Sequence, residues 1–119
     1  SMSKTTYHLI HANVAEMLAP LDHPVMSGFV DRIDEIDALA HATPGFVAQP
    51  TPPDEGSVFT DNILLNLSIW ETVESLYNFT YQGKHAQVYE QRAEWFAQHN
   101  RPNYVLYWAP SGHLPTSGR

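Results

Sequence analysis

Asp61 to Tyr81 reads DNILLNLSIWETVESLYNFTY, and two periods meet inside it. Up to Trp70 the period is two: Ile63, Leu65, Leu67 and Ile69 fall on one side of a strand, and Leu64, Asn66, Ser68 and Trp70 on the other. The first row is wholly aliphatic and the second is mixed. After Trp70, Val73, Leu76, Tyr77 and Thr80 recur at steps of three and four, so the strand is expected to run directly into a helix. The fold then depends on what the rest of the chain can lay against those two unlike faces.

Upstream, TTYHLIHANVA (Thr5 to Ala15) alternates as a strand, with Tyr7, Leu9, His11 and Asn13 on one face and His8, Ile10, Ala12 and Val14 on the other. Neither face is charged, so both can be covered. Asp22 before Pro24 predicts a capped helix beginning near that proline. Across VMSGFVDRIDEIDALAHA, the spacing of Met26, Phe29, Val30, Ile33, Ile36 and Ala40 predicts one amphipathic helix. Pro44 and Gly45 stop it, FVAQ opens a short strand, and PTPPDEGS is a proline-dense loop, the expected lid or disordered tip. Downstream, Gly83 interrupts the helix, KHAQVYEQRAEWFAQHN resumes it, and RPNYVLYWAP closes as a strand ending at Pro110.

The order strand, helix, strand, strand, helix pair, strand is that of a ferredoxin-like βαββαβ unit, an α+β fold with helices on one face of an antiparallel sheet. Residues 2–110 are expected to form this single domain and 111–119 an irregular tail. Ser1, ahead of Met2, reads as a remnant of tag cleavage. The other sheet face, with Leu65 and Leu67, is too apolar to leave in water, so a homodimer closing face to face is expected.

At 119 residues the chain has the size of one domain, and 43% hydrophobic with 16% charged residues fits a folded one. Thirteen acidic against six basic residues, a formal charge of −7, is the wrong sign for nucleic acid. The absence of cysteine excludes disulfides, thiolate metal sites and thiol nucleophiles. No apolar run approaches the roughly 20 residues of a membrane helix, and with no signal-like segment at the N-terminus a cytoplasmic location is expected. The histidines lack ligand spacing, so no metal site is expected.

Helical spacing places His85, Val88, Tyr89, Arg92, Trp95, Phe96 and His99 on one face of the last helix. An imidazole and a guanidinium on an inward stripe must be paired or solvated in a cavity. A satisfied core accounts for them: His85 bonded to a carbonyl, Arg92 snorkelling over aromatics. A site accounts for them only if a second element, the mixed strand faces carrying Asn13, Asn66, Ser68 and Trp70, aims at the same spot. His113, between Gly112 and Leu114 in the tail, could fold over the mouth of a pocket.

The segments LLNLSIWETVESLYNFTY, HAQVYEQRAEWF and YVLYWAPSGHLPT, with the strand and helix of Tyr7 to Val47, resemble the family known as domain of unknown function 3291. That resemblance implies the dimeric α/β-barrel superfamily. More distantly, the chain is similar to antibiotic-biosynthesis and haem-degrading monooxygenases, in which an Asn of the first strand, a Trp ending the third and a His on the next helix carry the chemistry. Asn13, Trp70 and His85 match them by element and type. The resemblance implies a cofactor-independent oxygenase or related polyketide-modifying enzyme for a small aromatic substrate, with Tyr81, Arg92, Trp95, Trp108 and His113 as binding residues. No cofactor is expected, with haem as a second option; the alternative function is a non-catalytic dimeric binder of an aromatic or haem-like ligand.

Overall fold

The computed structural model describes residues 6–50, 58–60, 62–99 and 103–112, the backbone alone at 58–60, 84 and 85. Strand β1 (Tyr7–Glu16) lies at the centre of the sheet, antiparallel to β4 (Ile63–Trp70) on one side and β5 (Tyr104–Pro110) on the other. A short β2 (Phe46–Ala48) pairs with the far end of β4, completing the order β2-β4-β1-β5. This is the ferredoxin-like α+β arrangement that the element order predicts. One short strand was not foreseen: β3 (Val58–Thr60) folds back on the start of β4 through a turn at Asn62, whose φ of 58° suits a residue tolerant of the left-handed region.

The register fixes what shares a face. Leu9 lies opposite Trp70 and Trp108, His11 opposite Ser68 and Leu106, and Asn13 opposite Asn66 and Tyr104. The mixed faces of β1 and β4 therefore coincide, which neither strand's alternation fixes by itself, and the helices cover them. Trp70, 0% exposed, packs with Leu9 and Leu76, and Leu64 packs with Met17, Met26, Val88 and Trp95. On the opposite face Ile10, Ile69 and Ala109 cluster with Ala48, beside a shallow cavity of about 110 Å3. Leu65 and Leu67 are half-buried there, and Val105 and Tyr107 are exposed.

The helices depart from the sequence expectation in three places. The helix expected to start at Pro24 is a 3-10 turn (Pro24–Met26), then α1 (Ser27–Val30) and, after a break, α2 (Ile33–Ala42). At the break the bonding tightens, Arg32 N–H donating to the Phe29 carbonyl at 3.0 Å. Its cap is His23, whose Nδ1 accepts from the Val25 N–H at 3.0 Å, rather than Asp22.

The helix pair is α3 (Val73–Tyr81) and α4 (Gly83–Glu90), separated where Gly83 takes φ of 68°. On α3 it is Leu76 and Phe79 that pack inward, against Trp70, while Val73 and Tyr77 are exposed. The last helix ends at Glu90, not near His99: Arg92–Glu94 form a 3-10 turn, and Leu18 and Ala97 N–H donate to the Trp95 and Glu16 carbonyls, both at 2.8 Å. These backbone bonds to the end of β1 replace the helical ladder, which rotates the expected stripe apart.

Candidate functional site

On the helix-covered sheet face, polar residues form rungs between apolar ends. Leu9 and Trp70 make one rung, His11 and Ser68 the next, Asn13 and Asn66 the third, and Ala15 and Leu64 the last. The Trp70 indole is enclosed edge-on by Phe46, with ring centroids 5.2 Å apart, and tilted against Phe79 at 5.2 Å. Its Nε1–H donates to Ser68 Oγ at 2.9 Å, and Ser68 Oγ lies 3.5 Å from His11 Nδ1. A polar line thus runs from a buried indole to a half-buried imidazole. Burial pushes the His11 pKa below its ordinary 6.5, because desolvation penalises the imidazolium.

The open side of this line faces β5. The His11 ring is tilted against that of Tyr104, centroids 5.8 Å apart, and Tyr104, Leu106 and Trp108 present exposed side chains on the same face. Tyr81, at the end of α3, meets Tyr77 at 5.0 Å and Tyr89 at 5.4 Å, and it lies within electrostatic reach of Tyr104. Burial and these neighbouring phenols, with a hydrogen bond to Tyr89, raise the Tyr81 pKa above 10.0. Aromatic side chains of the helix pair and of β5 thus gather where β1 supplies His11 and Asn13. The carboxamides of Asn13 and Asn66 make no hydrogen bond to a described residue.

The residues singled out in the sequence are distributed as follows. Asn13 is half-buried on the polar face, and Trp70 lies two residues beyond Ser68, fully enclosed. His85 belongs to α4, with its side chain outside the described residues, and His113 is outside them altogether. Tyr81 and Trp108 are half exposed, at 51% and 52%. Trp95 is 4% exposed in the core, 5.7 Å from Phe29 and with its indole against Gly28. Arg92 does not face inward: it is exposed, its guanidinium 4.1 Å over the Tyr89 ring and Nη1 donating to the Tyr89 carbonyl at 3.0 Å. Neither Glu71 nor Glu74 pairs with it among the described residues. The meeting of His11 with Ser68 is not legible in the sequence, because alternation within one strand does not set its register on another.

Residues 8–119 match the family described as Domain of unknown function (DUF3291). The chain belongs to this family. No curated protein matches it in sequence. Among solved structures it is similar to SnoaB, a cofactor-independent oxygenase from Streptomyces nogalater, at 12% identity and a TM-score of 0.62, covering 94% of this chain and 98% of that one. It is also similar to a putative antibiotic biosynthesis monooxygenase from Nitrosomonas europaea, at 9% identity and a TM-score of 0.59, covering 98% and 99% of the two chains. A third likeness is to a putative antibiotic biosynthesis monooxygenase from Caulobacter crescentus CB15, at 9% identity and a TM-score of 0.56, covering 92% of each. At such identities the DUF3291 chain shares a fold with these proteins, and a fold of this kind hosts many functions. No helix among the described residues is long and apolar enough to cross a membrane.

Proposed function

We propose that the protein is a cofactor-independent, monooxygenase-type enzyme acting on a small, planar, hydroxylated aromatic substrate between the sheet and the helix pair. The observation that carries this reading is the coincidence of two half-buried carboxamides, Asn13 and Asn66, with the aromatic side chains of Tyr104 and Trp108 on the same sheet face and of Tyr81 within electrostatic reach of Tyr104. Aromatic walls bind a planar ring system, and carboxamide donors stabilise the oxyanion left when the substrate ionises. The anion gives one electron to O2, and the substrate radical and superoxide combine at a ring CH carbon; the resulting peroxide anion takes back the proton lost on ionisation and then loses water, breaking its O–O and C–H bonds to leave a carbonyl. Arg92 is exposed and stacked on Tyr89, which in turn meets Tyr81, and its charge favours an anionic substrate. The expected homodimer buries the face of Leu65, Leu67, Val105 and Tyr107 against a second copy, away from the substrate.

The test is O2 consumption with anthrone and hydroxynaphthacenone probes. The wild type is expected to accelerate uptake, and Asn13→Ala to lower kcat/KM about a hundredfold, the usual effect of losing one oxyanion donor. Binding of the probes without any uptake would reassign the protein to the non-catalytic alternative. Haem titration by absorbance in the same preparation separates a porphyrin binder from both.

A further inference from the structure

We propose that His11 binds the substrate oxyanion as a neutral hydrogen-bond donor through Nε2–H, with Ser68 and Trp70 as positioning residues that fix its tautomer. This assignment rests on the substrate reading given above and adds a residue to it.

The argument is one of donor and acceptor counting. An indole N–H can only donate, so Ser68 Oγ must be the acceptor of the 2.9 Å bond from Trp70. The Ser68 hydroxyl then has one proton to place, and the sole acceptor it meets among the described residues is His11 Nδ1, at 3.5 Å. If Nδ1 carried the proton instead, Ser68 Oγ would accept from both rings and its own proton would meet no acceptor among the described residues. With the proton on Nε2, the indole N–H, the hydroxyl and Nδ1 each have a partner, and Nε2–H alone is left for a ligand. The contact is long, as such bonds often are before a ligand closes the site.

The ring is therefore held by Nδ1, and the remaining nitrogen is a donor. Across from His11 on β5 is Leu106, flanked on the same face by Tyr104 and Trp108, and these are four residues apart, about 13 Å along a strand. A flat aromatic lying over Leu106 between those rings brings an oxygen on its edge to the imidazole. The phenol of Tyr104, whose ring faces His11, is the titratable group on that side, and Ser68 and Leu106 are its uncharged cross-strand neighbours. A neutral donor suits electron transfer to O2: it stabilises the anion without the full positive charge that would hold its electrons back. The depressed basicity of His11 keeps the ring neutral at pH 7.

Long-range 1H–15N NMR of the imidazoles reads this directly, with His11→Asn assigning the signal. At pH 7.5 the wild type should show Nδ1 pyridine-like and Nε2 pyrrole-like, and anthrone should shift the Nε2 resonance. Ser68→Ala should mix the two tautomers, Ser68→Thr should restore the single one, and Trp70→Phe should weaken the preference. An Nδ1–H tautomer in the wild type, an unchanged spectrum in Ser68→Ala, or an Nε2 signal indifferent to anthrone would each overturn the assignment. If the tautomer and the anthrone shift are as stated but no O2 is consumed, His11 stands as a ligand donor and the oxygenase reading falls alone.

Discussion

At the scale of residues, His11 has a consequence for stability as well as for binding. Its pKa is depressed in the folded protein and near 6.5 in the unfolded chain, so between those values the unfolded chain holds more protons. The sign follows: the folded state is favoured above pH 6.5 and loses that advantage as the pH falls, until the folded imidazole also titrates. Thermal melts at pH 7.5 and 5.5 should therefore show a larger acid loss for the wild type than for His11→Asn. Equal losses would mean that the ring is not desolvated. Much of this rung was legible in the sequence: alternation put His11 with Asn13, and Ser68 with Trp70, on one face each. That the two faces are the same one, and that His11 meets Ser68, required the register, which depends on how strands dock rather than on either strand alone.

At the scale of elements, the strands were easier to read than the helix ends. β4 shows its period through eight residues, from Ile63 to Trp70, because each face meets a different environment. The segment after Glu90 keeps a helical pattern in its sequence yet leaves the helix, since Leu18 and Ala97 gain backbone partners in a β-bridge region between Met17 and Phe96. Local periodicity is outweighed there by tertiary hydrogen bonds, and this is why Arg92 points to solvent rather than along the expected stripe. The start of α3 is the opposite case, a local device. Thr72 Oγ1 accepts from the Ser75 N–H at 3.0 Å and also meets Ser75 Oγ at 2.8 Å. Thr72→Ala should cost about 1 kcal/mol, the usual value of an N-cap, measurable as a lower urea midpoint with an unchanged slope. Because α3 holds Leu76 and Phe79 against Trp70, that loss should also loosen the indole, visible as a red shift of its fluorescence.

At the scale of the whole molecule, the sheet has one face under helices and one whose apolar residues are only partly covered. The proposed dimer should sediment at twice the chain mass, and Leu67→Lys should shift it to monomer while the circular dichroism spectrum is retained. A wild type that stays monomeric at all concentrations would remove the face-to-face barrel. The edges of the sheet are as unequal as its faces. On the β4 side the row is closed off by β2 and β3, three residues each and set at opposite ends, so neither offers a long template. On the other side β5 runs for seven residues, Tyr104 to Pro110, without a single charge. Uncharged, extended edges are the ones along which sheets propagate from molecule to molecule. Any ordered fibre this protein forms should therefore grow from β5, and a lysine placed at Val105 should act as a gatekeeper against it.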